Sequence, residues 1–199
     1  VLSLTTEKLA NSIASEWRQQ DATIKPDTMP LMSLAATAID RVEPQKMEVV
    51  TSVVAYGETD LLCYRAFEPE ELVARQNNKW QPLLDWAKKA IGAELHVTGG
   101  IMPLQQPLKS IKAIRDKITH YDAFNLTGLH ELTTISGSVI IGLAVMEDHI
   151  DVNEGVQAAQ LDGLYQLERW GDDPELMLTL QNSRQEMVDV FNFIALLKV

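Results

Sequence analysis

Hydrophobic positions recur at helical spacing along almost the whole chain. In "TTEKLANSIASEWRQQ" Leu9, Ile13 and Trp17 stand four apart, and Ala10 and Ala14 widen the stripe. The pattern predicts an amphipathic helix with Trp17 buried on the Leu9–Ile13 face, capped by Thr5 or Thr6. "DTMPLMSLAATAIDRV" predicts a second helix. Pro30 suits its first turn, and Leu31, Leu34, Ala35, Ala38, Ile39 and Val42 form its inner face. Pro44 opens a third, with Met47, Val50, Val53 and Val54 inward and Gly57 as its stop. "EPEELVARQNNKWQPLLDWAKKAIGA" reads as a helix broken at Gln81 by Pro82 and then resumed to Gly92.

The least helical stretch is "ELHVTGGIMPLQQP", which is β-leaning and then rich in turn residues. Beyond it Pro107 starts a helix with Leu108, Ile111, Ile114 and Ile118 inward. Asp122 precedes a long apolar helix, and Gly128, Gly137 and Gly142 within it permit close approach or mild bending. Asp151 or Asn153 caps the next helix, which runs to Trp170 and places Gly163 in its interior. Asp173 and Pro174 open the last, carrying Leu176, Leu180, Met187, Phe191 and Ile194. The expected fold is mainly α, with eight or so helices and little strand. Residues 1–199 read as one helical domain, with a soft boundary near 96–107.

Composition narrows what such a domain does. The 199 residues are 46% hydrophobic and carry a formal net charge of −11. An acidic chain lacks the basic face that nucleic acid or an anionic membrane requires. The most apolar run, Leu132 to Met146, carries no charge, but it is shorter than the ~20 residues of a spanning helix. Four hydroxyl side chains also interrupt it. It is expected to be one buried central helix, with no membrane insertion. The single cysteine rules out an internal disulfide. The chain opens on Val1 rather than Met, so an upstream segment is expected.

Catalytic and cofactor motifs fail one after another. "HEL" at His130 lacks the second histidine of a zinc helix, since Thr134 stands there. "EDHIDVNE" lacks the alternating ligands and central glycine of a calcium loop and reads as a solvated turn. "TGG" at Thr98 is followed by no phosphate-binding lysine, and "GSVIIG" is not a nucleophile elbow. No cofactor and no metal are expected. "YGETDLLCYRA" gathers Asp60, Cys63, Tyr64 and Arg65, and Cys63 is there either a nucleophile or a small buried hydrophobe. Trp17, Trp80 and Trp86 read as packing anchors. Trp170 stands at a helix end with Gln166 and Arg169, a composition typical of binding hot spots.

Six stretches in order carry a resemblance: "LANSIASEWRQQ", "MPLMSLAATAID", "YGETDLLCYRA", "RQNNKWQPLLDWA", "SGSVIIGLAV" and "LDGLYQLERWGDD". The chain resembles the ATP synthase α-subunit assembly chaperones of mitochondria and α-proteobacteria. The resemblance implies a two-domain α+β protein whose N-terminal β-rich domain is absent here, leaving the helical part. It implies a non-enzymatic, ATP-independent chaperone whose partner is the unassembled ATP synthase α subunit, held until the β subunit replaces it. A monomer is expected, in the cytoplasm of a bacterium or the mitochondrial matrix of a eukaryote. The family's C-terminal signature falls on Asp162, Gln166, Trp170, Gly171 and Asp172, with Gly163 where the family has Glu; these six are the expected partner-binding residues. Trp17, Asp60, Cys63, Tyr64, Arg65, Trp80 and Trp86 are the expected structural signature. The rival readings are a helical enzyme using Cys63 and a helical adaptor with another client.

Overall fold

The structure, a computed structural model, describes residues 3–100, 102 and 104–198. Val1 and Leu2, with which the chain opens, and Ile101 and Pro103 of the predicted soft boundary lie outside the described residues. Among the described residues there are ten α-helices and two strands of two residues each. The count exceeds the eight expected because two runs expected as single helices are each divided.

α1 (Glu7–Arg18) starts at Thr6, whose hydroxyl accepts the Leu9 N–H and donates to the Leu196 carbonyl at 2.6 Å. The first helix is thereby tied to the last. α2 (Pro30–Thr37) is capped from a distance by Glu16 of α1. The two Glu16 carboxylate oxygens accept the N–H groups of Leu31 and Met32, each at 2.8 Å. Those donors have no partner within their own helix, so Glu16 turns inward and is nearly buried. Trp17, about 100° further round the helix, is turned outward and is 45% exposed. The predicted burial of Trp17 is thus corrected.

α3 (Lys46–Ala55) buries Val50, Val53 and Val54, and α5 (Leu108–Thr119) buries Ile114 and Ile118. Met47 and Leu108, both predicted inward, are exposed. Each stands in the first turn of its helix, where the apolar stripe runs on past the packed neighbours. α4 (Glu70–Ala90) is continuous through Pro82, contrary to the predicted break. Pro82 and Asn78 both face solvent, so water can satisfy the carbonyl that the proline ring leaves unbonded. Trp80, Leu83, Leu84 and Ala87 bury one face on both sides of the proline and hold the helix together.

The run expected as one central helix is two, α6 (Ala123–Ser136) and α7 (Val139–Met146). Gly137 adopts φ 70°, a left-handed value that glycine takes at little cost, and ends α6. Ser138 then caps α7 by accepting the Ile141 N–H at 3.0 Å. All of α7 is buried, and with α6 it forms the centre of the core. α10 (Pro174–Leu197) crosses α6 at Gly128, where an added Cβ would lie 2.6 Å from Ile194 Cγ1.

The run from Val152 to Trp170 is likewise divided, into α8 (Val152–Ala159) and α9 (Leu161–Trp170). Gln160 at the joint donates its amide to the Leu180 carbonyl and the Ser183 hydroxyl of α10, at 2.6 and 2.8 Å. Gly163 therefore sits in the first turn of α9, not in a helix interior.

β1 (Tyr64–Arg65) pairs in parallel with β2 (Thr98–Gly99), Tyr64 opposite Thr98 and Arg65 opposite Gly99. The loop after β2 is fastened back by Gln106, which bonds both the N–H and the carbonyl of His96, and by Ser110, which donates to the Glu94 carbonyl. β1 is placed by Asp60, whose side chain is fully buried. Its carboxylate accepts the Ser138 hydroxyl at 2.7 Å and the N–H groups of Leu62 and Ile140 at 3.0 and 3.2 Å. Burial pushes its pKa up to about 6 in spite of these donors.

Two tests follow from these contacts. Glu16→Ala leaves two α2 donors unmet and is expected to cost about 1–3 kcal/mol, whereas Trp17→Arg should fold and melt close to the wild type. The reverse order in urea or thermal melts would overturn the orientation of α1. For Asp60 the folded pKa lies above the unfolded value, so its contribution to stability is fully present below about pH 4 and is lost as pH rises through about 6. Relative to Asp60→Asn, the wild type is expected to gain on the order of 2–3 kcal/mol between pH 7 and pH 4. Urea melts of both proteins across that range measure the difference.

Candidate functional site

A groove of about 690 Å³ opens between α9 and the segment that leads from β1 into α4. One wall is Tyr64 to Pro69 with Leu72; the other is Asp162, Tyr165, Gln166, Arg169 and Trp170, with Gln76 and Gly100 completing the lining. Two large aromatics stand in it unshielded, Phe67 and Trp170, each 76% exposed. Phe67 lies over the Gly99–Gly100 backbone. A Cβ added to these glycines would stand 2.6 and 2.5 Å from ring carbons of Phe67. The glycine pair of "TGG" is therefore a flat seat for this ring.

Several contacts fix the two walls relative to each other. Trp80, fully buried, donates its indole N–H to the Ala158 carbonyl at 2.9 Å and anchors α4 on the end of α8. Gln76 accepts the Ala66 N–H at 2.8 Å and donates to Asp162 Oδ1 at 2.7 Å. At the rim Arg75 bridges Glu71 and Glu168 and lies 5.2 Å from the Tyr165 ring centre. These rim charges are well exposed, so their pairing stabilises little. Arg65, mostly buried, is held by neutral acceptors: the Leu62 carbonyl at 3.3 Å, Asn77 Oδ1 at 2.5 Å and Gln81 Oε1 at 3.2 Å. Burial lowers its pKa from the usual arginine value.

Of the six expected partner-binding residues, Asp162, Gln166 and Trp170 line the groove. Gly163 points elsewhere: an added Cβ would meet Leu180 Cδ2 of α10 at 3.1 Å. Gly163 is thus placed against α10, not on the face it was predicted to share with Asp162 and Gln166. Gly171, at φ 92°, ends α9, and Asp172 follows it on the surface. Sequence reasoning missed Phe67, Leu72, Gln76 and Tyr165. Phe67 had a readable signal, a large aromatic beside Glu68-Pro69 outside any periodic stripe. Gln76 had none, because a glutamine on a helix ordinarily faces water.

The signature residues occupy varied environments. Cys63 is completely buried, and burial together with the Asp60 charge pushes its thiol up to about 12. A nucleophilic cysteine needs the opposite shift. Trp86 is half-buried and stacks on His149, ring centres 4.9 Å apart. Among the described residues no group of three or more His, Cys, Asp or Glu could hold a metal ion. No helix among them is long and apolar enough to cross a membrane.

Comparison with known proteins gives consistent matches. A family profile described as ATP12 chaperone protein matches residues 1–88. The crystal structure of Atp12 from Paracoccus denitrificans is 40% identical with a TM-score of 0.95, over 99% of this chain and 84% of that one. A point mutant of P. denitrificans Atp12p matches at 39% identity and the same TM-score, with the same coverage. An Agrobacterium tumefaciens protein matches at 34% identity and a TM-score of 0.92, over 99% of this chain and 74% of that one.

The environment of Cys63 makes a direct prediction. A maleimide reagent at pH 8 is expected to leave the native protein unlabelled and to label it fully in denaturant, as read by intact mass. Rapid labelling of the native state would restore a reactive thiol.

Proposed function

The chain belongs to the ATP12 family of ATP synthase assembly chaperones, and from that membership we propose that its groove holds the unassembled ATP synthase α subunit. The groove masks the α-subunit face that later meets the β subunit, and the β subunit displaces the chaperone. Binding and release need no nucleotide. Residues 1–199 act as one client-binding domain, working as a monomer in the bacterial cytoplasm or, in a eukaryote, the mitochondrial matrix. This helical part pairs with a β-rich N-terminal domain.

The observation that carries this reading is the pair Phe67 and Trp170. Both present most of their apolar surface to solvent on opposite walls of one groove. Large exposed aromatics in a concave, partly polar setting are the composition of an interface hot spot. Asp162 and Gln166 share the α9 wall with Trp170, and the deep thiol of Cys63 takes no part.

Phe67→Ser and Trp170→Ser should each weaken binding to purified α subunit by at least about tenfold. Their melting curves should stay near the wild type, because neither side chain is buried. Met47→Ser, an exposed position outside the groove, should bind normally. Titrations against α and β subunits separately check the partner. Preference for β, or for neither, would favour the adaptor reading with another client.

A further inference from the structure

The buried face of α4 consists of Gln76, Trp80, Leu83, Leu84 and Ala87, and Gln76 alone among them carries a carboxamide. Gln76 is 1% exposed, so both ends of its amide need partners. The Ala66 N–H is a donor and can be met only by Oε1, at 2.8 Å. The NH₂ end is thereby aimed at Asp162 Oδ1, at 2.7 Å. One side chain thus joins both walls of the groove. It fixes the backbone one residue before Phe67 and holds the Asp162 carboxylate by one oxygen. Among the described residues Oδ2 takes no hydrogen bond, and Asp162 lines the groove.

Resting on the groove as the client site, we propose that Gln76 is a positioning residue for client binding. It presents Asp162 Oδ2 to a donor on the partner, a basic side chain beside an apolar anchor seated between Phe67 and Trp170. A neutral amide leaves the Asp162 charge in place. A carboxylate at position 76 would still accept the Ala66 N–H but would repel Asp162.

The test measures α-subunit affinity of the full chain at pH 5 and pH 8, beside the wild type. The charged groups sharing the groove, Arg65, Glu68 and Arg169, are present in every variant. Gln76→Glu should bind at least about tenfold more weakly at pH 8. At pH 5 a proton on the carboxylate introduced at position 76 relieves the repulsion, and affinity should return to within about threefold of the wild type. The double variant Gln76→Glu, Asp162→Asn rebuilds the bridge with its polarity reversed but lacks the charged acceptor. It should fold normally and bind weakly at both pH values.

Wild-type affinity for Gln76→Glu at pH 8, with Phe67→Ser weakened, would overturn the role of Gln76 and leave the groove standing. An equal loss for Gln76→Glu at both pH values would mark a merely structural role and also overturn it. Wild-type affinity for Phe67→Ser would remove the groove reading itself. If circular dichroism shows Gln76→Glu unfolded, Gln76→Met replaces it. Gln76→Met should then weaken binding in the wild-type background but cost nothing further in the Asp162→Asn background; wild-type affinity for Gln76→Met, or the same loss in both backgrounds, would overturn the proposal.

Discussion

The fold depends on a carboxylate buried where the chain first meets its own centre. Asp60 lies at the start of α7 and accepts from a hydroxyl and two backbone N–H groups. A charge taken out of water is costly unless donors surround it. Here the donors offset most of the cost, and the upward pKa shift shows the remainder. What the arrangement provides is location. It joins residues 78 and 80 positions apart in sequence and sets the first turn of the most apolar helix. It also fixes where the chain leaves the core, and four residues later β1 begins. Arg65 follows the same logic with opposite charge, satisfied by oxygens that carry no formal charge. The opening of the groove is thus determined from below, by two buried polar side chains within the motif "TDLLCYRA".

That motif shows how far the sequence could be read. Apolar periodicity located the helices, because burial of a stripe is a property of the local pattern. It could not locate the divisions within apolar runs. Residues 123–146 are hydrophobic on nearly every side, so no stripe changes direction at Gly137. The break there is made by Gly137 and the Ser138 cap, and it is fastened by Asp60, far away in sequence. Gln160 divides α8 from α9 by the same means, through bonds to α10. Pro82 shows the converse. Its local preference to break a helix yields to a buried face that continues on both sides of it.

Trp17 marks a different limit. Four-residue spacing placed it on the Leu9–Ile13 face of α1, and hydrophobicity favoured burial. The competing demand was polar: two N–H groups of α2 needed an acceptor, and Glu16 was within reach. A buried unsatisfied donor costs about as much as a partly exposed indole loses, so a neighbour with no periodic signal decided the orientation. The groove was legible on its α9 wall for the opposite reason. Asp162, Gln166 and Trp170 repeat every four residues and mark one helix face. The facing wall is irregular backbone, assembled by the β1–β2 pairing and the glycine seat under Phe67, and no sequence period describes it.

An assembly chaperone must hold a client and then lose it to the client's permanent partner. A deep apolar pocket would serve the first requirement and defeat the second, because slow dissociation accompanies full desolvation of large anchors. In the proposed client groove the two demands are divided. Phe67 and Trp170 offer exposed apolar surface at the walls, while Asp162, Gln166 and Arg169 keep one wall polar. Polar contacts that exchange readily with water contribute selectivity and encounter rate more than residence time.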